Sequence, residues 1–437
     1  MFGTSGIRGI YGKEITESLV MKVANVFAEK KLVIARDIRK SGIVLSHAVA
    51  AGALSAGSDV IDLGIVPTPT LAFATGKHNA RGIMVTASHN PPEYNGVKLI
   101  ENAKEIGKDM EGEVARAYRE MPFKSIANPG RLSYDSEAIA RHKKAVVEMV
   151  DAQLIAKRKP KIVVDCNGSA AVITPSLLSE LGCTVKTMNA SLEEFGRASE
   201  PNEKNLTELA KLVPAAGADF GIAHDGDGDR CVVVDDRGAV LPLDVQLAIM
   251  IEHELDKTKN KKGNKKIIST VEASLAIRDV VENAGGELDI TPVGSTFVAD
   301  ALEGSGAVFG GEPCGEYVYQ DGAHVPDAVL AAAKFAEIFC MKGKFSEFKA
   351  KYKQNFMARE KFPVKDKCGT VEKIKKSLDV RGKIRSDDGI RVDEEDGWLL
   401  IRASGTEPIV RLTMEYKTRE KLERRKTEMK RLIERSA

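Results

Sequence analysis

The chain has 437 residues, 43% hydrophobic and 29% charged, an ordinary globular balance over a length that one core does not span, so roughly two to four domains are expected. Its 65 basic and 63 acidic residues leave a net charge of +2, and aromatics make up 5%. That excludes a charge-driven partner and a base-stacking platform; a small-molecule ligand is expected, with neither nucleic acid nor a membrane surface.

The opening run Gly3-Thr4-Ser5-Gly6-Ile7-Arg8-Gly9 reads as a glycine-rich loop whose N–H groups and one guanidinium suit an anion. A flexible terminus would use the same residues. Thr16 fits an N-cap for a helix with Val20, Val23, Ala24 and Phe27 on one face. A strand at 32–35, a helix at 47–56, a strand at 60–63 and a turn at Pro67 follow. A further helix leads to the apolar strand 82–85, and alternating strand and helix implies a mostly parallel sheet covered on both faces. A charged helical stretch at 137–159 closes this unit.

A second unit starts with strand 161–165 and the polar turn 166–169, and ends with strand 220–224 feeding Asp225–Arg230 and strand 231–234. The lysine-rich run 257–266 reads as a solvated surface loop. A third unit runs from strand 266–271 through residues 291–295 to a turn at Gly310-Gly311-Glu312 and a helix at 327–341. After about residue 356 the pattern becomes α+β, with strands near 362–364, 389–392, 397–402 and 410–415 before a charged helix at 419–435. The expected domains are 1–148, 149–242, 243–355 and 356–437. The recurring strand–turn–helix order hints at an internal repeat. Six scattered cysteines form no C-x-x-C pair, signalling neither zinc nor a disulfide framework. No apolar run reaches the ~20 residues of a membrane span, and the first residues lack a signal-peptide pattern, so a cytoplasmic location is expected.

Four stretches carry chemistry. In Thr86-Ala87-Ser88-His89-Asn90-Pro91 the proline stops the strand and leaves Ser88 at its tip; a turn-capping serine is the bland alternative. Asp225-Gly226-Asp227-Gly228-Asp229-Arg230, read as an extended segment, points alternate carboxylates the same way. Two such charges about 4 Å apart repel by roughly 4 kcal/mol at an effective dielectric near 20, so the run asks for a cation, and oxygen ligands favour magnesium. Arg230 and Asp236 stand where a calcium loop needs glycine and glutamate. Gly311-Glu312-Pro313-Cys314-Gly315-Glu316 offers an acceptor-only carboxylate that suits sugar hydroxyls. Arg402-Ala403-Ser404-Gly405-Thr406-Glu407-Pro408 offers a guanidinium, hydroxyls and an N–H to a phosphate.

Together, and in this order, these runs and the opening one resemble the signatures of the α-D-phosphohexomutase superfamily over nearly the whole chain. The family includes phosphoglucomutases, phosphomannomutases and phosphoglucosamine mutases. The resemblance implies an α/β fold of four domains around a central cleft: three similar mixed α/β sandwich domains and a C-terminal α+β phosphate-binding domain. It implies a phosphorylated Ser88, with Asp225, Asp227 and Asp229 holding one Mg²⁺ together with the phosphoserine. Glu312 and Cys314 would face sugar hydroxyls, with Gly294 beside them. Arg402, Ser404, Gly405 and Thr406, with Arg411, would grip the substrate's phosphate. Lys98 and Arg8 match residues near the transferring phosphoryl, and Arg230 and His89 would line the same centre. The implied reaction is two transfers through a hexose 1,6-bisphosphate, on a hexose phosphate substrate, by a monomer or homodimer.

Three positions depart from the family's commoner pattern: Cys314 stands for serine, Glu316 for histidine and Ala403 for proline. The Gly-Glu-Pro-Cys form resembles archaeal-type phosphoglucosamine mutases, so glucosamine 6-phosphate to glucosamine 1-phosphate is the expected reaction, with phosphomannomutase/phosphoglucomutase as the alternative and a pentose phosphate more remote. A metal-dependent sugar phosphatase would not need a distant phosphate grip, and a sugar-phosphate sensor would not need the serine, lysine and metal set.

Overall fold

In the computed structural model, three consecutive sheets repeat one strand order. The structure describes residues 1–3, 5–258, 265–352, 355–378, 382–404 and 408–437. In the first sheet, Lys31–Arg36 lies between parallel partners Asp59–Ile65 and Arg81–Val85, and Tyr94–Glu101 runs antiparallel beside Arg81–Val85. Numbering those strands by appearance gives the spatial order 4-3-1-2. Lys161–Asp165, Thr184–Met188, Phe220–His224 and Cys231–Val234 repeat it, as do Lys266–Thr270, Glu287–Thr291, Phe309–Glu312 and Glu316–Tyr319. The expected internal repeat is therefore a repeat of topology. The first sheet adds Ile7–Ile10 on one edge, Leu132–Tyr134 on the other and the short Lys104–Glu105.

Alternate strand residues feed separate cores, because successive side chains leave a strand on opposite faces. Leu32, Ile34, Ile83 and Val85 pack on one face of the first sheet, under helices Glu17–Phe27 and Gly42–Ser55. Val33, Ala35 and Met84 pack on the other, under Thr68–His78. The largest core is common to the second and third sheets: Ile162, Val164, Phe220, Ile267 and Phe309 meet the apolar helices Leu243–Thr258 and Ala328–Lys342 within it. These two units are thus one packed body. The fourth sheet is wholly antiparallel, in the order Phe356–Pro363, Ile409–Tyr416, Gly397–Ala403, Ile390–Glu394, Lys383–Arg385. One face carries Lys367–Ser377 and Arg419–Ser436; the other sets Trp398 and Leu400 against Val271 and Leu275 of the third unit.

Several local readings need correction. Residues 7–10 form an edge strand paired with Tyr94–Glu101, with Arg8 opposite Gly96, so only the first part of the opening run is a loop. The charged stretch 137–159 is two helices, Ala138–Glu148 and Ala152–Arg158, the second capped by Asp151. Gly310 and Gly311 lie inside strand Phe309–Glu312, and the turn comes after them. The strand near 362–364 begins much earlier, at Phe356. Thr16 caps its helix as expected, accepting from the Leu19 N–H at 3.3 Å.

Candidate active site

The repeated topology places three chemical loops at one position. In each of the first three sheets the third strand turns back into the antiparallel fourth. Those three connections hold Ser88, the Asp225–Arg230 run, and Pro313-Cys314-Gly315. They lie at the carboxyl ends of parallel strands, where open α/β sheets bind ligands. Backbone contacts tie neighbouring units to these loops: Thr68 N–H donates to the Asp227 carbonyl at 2.8 Å, and Cys231 N–H to the Gly315 carbonyl at 2.9 Å. Arg230 and Glu316 form a β-bridge, and the guanidinium holds the carboxylate at 3.0 Å.

Ser88 is buried and has φ of 49°, an uncommon conformation for a residue with a side chain. Its surroundings over-determine it. The Ser88 N–H donates to Thr86 Oγ1 at 2.8 Å, and its carbonyl accepts from Arg39 at 2.8 Å and from Ser199 Oγ at 3.1 Å. Its own hydroxyl donates to Asp225 Oδ2 at 2.8 Å, with His89 Nδ1 at 3.3 Å.

The acidic run is a tight turn rather than an extended segment, and its carboxylates converge because the chain folds back. One oxygen from each of Asp225, Asp227 and Asp229 lies within 4.8 Å of the others, all three residues buried. A Cβ on Gly226 would stand 2.7 Å from the Ser88 carbonyl oxygen and 2.9 Å from Ser199 Oγ, so only glycine lets the two loops approach. Lys98 Nζ bridges Asp227 at 2.8 Å and Asp229 at 2.5 Å, while Thr68 Oγ1 donates to Asp227 Oδ2 at 2.6 Å. Asp227 Oδ1 and Asp229 Oδ1 are buried without a hydrogen-bond partner among the described residues. Buried carboxylate oxygens are costly to leave unmade. The donor set, all oxygen and acidic, therefore fits a hard divalent cation.

A cavity of about 480 Å³ opens onto this cluster, lined by Ser5, Arg8, Ser88, His89, Asp229 and Arg230 and by Glu272, Gly294, Glu312, Cys314 and Glu316 of the third unit. Burial, then Asp229 and Asp227, pushes the Asp225 carboxyl well up. Burial opposes the charge on Lys98, but Asp227 and Asp229 outweigh it and hold the ammonium above its usual range. Burial, then the charges of Arg230 and Arg8, pushes His89 down to about 3, so its imidazole is neutral at physiological pH. Glu312 accepts from the Gly294 N–H at 3.1 Å, and burial followed by Glu316 drives its carboxyl well up.

Four domain descriptions match the chain in order: phosphoglucomutase/phosphomannomutase alpha/beta/alpha domain I over residues 1–125, domain II over 140–238, domain III over 243–355 and the C-terminal domain over 360–432. The chain belongs to the phosphoglucomutase/phosphomannomutase family. It is a phosphohexomutase, an isomerase. A probable phosphoglucosamine mutase of Methanosarcina barkeri is 39% identical over 425 residues, covering 95% of each chain. A phosphoglucomutase/phosphomannomutase of Thermococcus kodakarensis is 38% identical over 96% of this chain and 95% of its own. The crystal structure of a phosphoglucomutase/phosphomannomutase family protein from Burkholderia thailandensis superposes with a TM-score of 0.86 at 26% identity, covering 100% of this chain and 98% of that one.

In this phosphohexomutase the expected phosphate grip stands apart from the other residues. Arg402 is engaged by Asp388, with two nitrogens each 2.9 Å from its oxygens, and lies 3.7 Å from Glu272. Ser404 is buried, its carbonyl accepting from Lys367. Gly405 and Thr406 lie outside the described residues, as do Thr4 and part of the lysine-rich run. Arg411 pairs across the sheet with both Arg402 and Lys361, and lines a second cavity of about 880 Å³. Glu272 and Pro313 line both cavities, so the two adjoin.

Sequence reasoning missed Arg39. Its guanidinium uses all five N–H positions: Nε to Asp37 at 2.9 Å, and the rest to the carbonyls of Pro91, Tyr94, Ser88 and Asn90. Asp37 also accepts from Thr86 Oγ1 at 2.6 Å, and Phe195 stacks on the guanidinium at 5.2 Å. One available signal was the aspartate–arginine pair straight after a strand, Asp37-Ile38-Arg39.

Proposed function

We propose that this chain interconverts hexose 6-phosphates and 1-phosphates by two phosphoryl transfers through Ser88. The observation that carries this reading is the Ser88 hydroxyl 2.8 Å from Asp225, on the wall of a cavity that Glu312 and Cys314 also line. A phosphorylated Ser88 would break its P–O bond as the phosphoryl passes to the free hydroxyl of the sugar phosphate. A hexose 1,6-bisphosphate results, turns over within the cleft, and returns its other phosphoryl to Ser88. The proton lost by one sugar oxygen is regained by the other, so no net proton change accompanies turnover.

Asp225, Asp227 and Asp229 would hold Mg²⁺, and that ion would supply charge neutralisation at the phosphoserine oxygens. Arg8, Lys98 and Arg230 would stabilise charge on the transferring group. His89, 3.3 Å from the Ser88 hydroxyl, lines the same centre. Glu312, turned towards its protonated form by burial, can both donate to and accept from sugar hydroxyls, with Cys314 and Gly294 beside it. Arg402, Ser404, Gly405, Thr406 and Arg411 would take the non-reacting phosphate; for that Arg402 exchanges part of its bond to Asp388 for the phosphate.

Glucosamine 6-phosphate is the favoured substrate. Support comes from the Methanosarcina barkeri relative's name and from Glu272, a carboxylate on the wall of the cavity beside Glu312. Phosphomannomutase/phosphoglucomutase activity is the second reading, favoured by the name of the Thermococcus kodakarensis relative. Comparing kcat/KM for glucosamine, glucose and mannose phosphates decides between them. A preference for the neutral hexoses of about tenfold, or about 1.4 kcal/mol, overturns the glucosamine assignment.

A further inference from the structure

Glu105 is a buried carboxylate that the scheme above leaves idle. It sits in strand Lys104–Glu105, opposite Ile100 of the strand that carries Lys98, and is 6% exposed. It does not line the catalytic cavity, but Ser5 and Arg8 do. Ser5 Oγ donates to the two Glu105 oxygens at 2.8 and 3.0 Å, and Arg8 donates to Ser5 Oγ at 2.9 Å. Arg8 Nε is buried and without a hydrogen-bond partner among the described residues. We propose that Glu105 is a positioning residue for phosphoryl transfer, aiming Arg8 into the cavity through the hydroxyl of Ser5. The inference rests on the phosphoryl-transfer reading.

The direction of the relay follows from counting protons. A serine hydroxyl has a single hydrogen and two lone pairs. With the hydrogen committed to Glu105, Ser5 can only accept from Arg8, and the negative charge behind it strengthens that bond. The backbone of Arg8 is already fixed, opposite Gly96 at the sheet edge. A free arginine side chain still samples many rotamers, a freedom the relay removes before substrate arrives. A carboxylate touching Arg8 directly would occupy its donors and hold it back. The interposed hydroxyl takes one donor and leaves the others of the guanidinium for an incoming anion. Burial raises the Glu105 carboxyl, and the nearby charges of Lys98 and Arg8 oppose that rise.

A double-mutant cycle on the full chain tests this, with kcat and KM read for the hexose phosphate. Glu105→Gln should lower kcat about tenfold with KM within about twofold, and Ser5→Ala should do the same. In an Arg8→Met background either change should alter the residual kcat by less than about twofold, because the group they act through is gone. Full activity of Glu105→Gln, a rise in KM alone, or losses that multiply in the double variant overturn the proposal. If Glu105→Gln does not fold, Ser5→Ala against Arg8→Met carries the same cycle. A wild-type chain without mutase turnover overturns the phosphoryl-transfer reading itself; an active wild type with an indifferent Glu105→Gln overturns this inference alone.

Discussion

Replacing Arg39 with lysine keeps the charge beside Asp37 but removes the fork that holds the serine loop. Five N–H groups now bind Asp37 and the carbonyls of Ser88, Asn90, Pro91 and Tyr94. An ammonium has three donors, so at least two of these acceptors lose their partner. Hydrogen bonds from a charged donor contribute about 1.5–3 kcal/mol each, which sets the expected loss near 3 kcal/mol or more. The catalytic consequence is larger, because Ser88 is held at φ of 49° by these contacts. A displacement of about 1 Å at a reacting atom costs about a hundredfold in rate. Urea unfolding and steady-state kcat on Arg39→Lys measure both. A variant with kcat within about twofold of wild type and an unchanged urea midpoint would refute the reasoning.

Further outcomes follow from the same geometry. Asp227→Asn and Asp229→Asn each remove charge from a pair of buried, unpartnered oxygens, and Mg²⁺ titration of activity should shift upward by about tenfold or more. Gly226→Ala forces a Cβ to within 2.7 Å of the Ser88 carbonyl; activity should collapse while far-UV circular dichroism stays unchanged. Burial pushes His224 down to about 4 from its usual 6.5, its Nδ1 lying 3.0 Å from the Arg230 carbonyl. As pH falls the unfolded chain takes that proton first, so stability should decline from about pH 6.5 towards 4, and His224→Asn should flatten the slope in urea melts across that window.

The parts of the site legible in the sequence are those whose chemistry is local. Ser88 stands at a strand end because Pro91 and Pro92 forbid its continuation, and three aspartates spaced by glycines announce a cation cluster wherever they fold. The mode of convergence was not legible. An extended run was expected, whereas the residues fold as a turn whose Gly226 faces another loop. That contact depends on a partner about 140 residues away, which no local pattern encodes. The same holds for Arg39 and Glu105: in sequence both sit among charged neighbours, and only the packing of distant segments buries them. The 4-3-1-2 repeat was visible only as a recurring strand–turn–helix rhythm, because topology survives where residue identity does not. The phosphate grip was read from its motif, but the engagement of Arg402 by Asp388 follows from the turn that brings position 388 beside the strand.

Mapping the phosphoryl group is the most direct test of the central claim. Dephosphorylated wild type and Ser88→Ala would be incubated with Mg²⁺ and glucose 1,6-bisphosphate labelled in its phosphates, digested, and the label located by mass spectrometry. The account predicts label on the peptide containing Ser88 in the wild type, none in Ser88→Ala, and mutase turnover only in the former. Label on another residue, or mutase turnover near the wild-type level by Ser88→Ala, would contradict it.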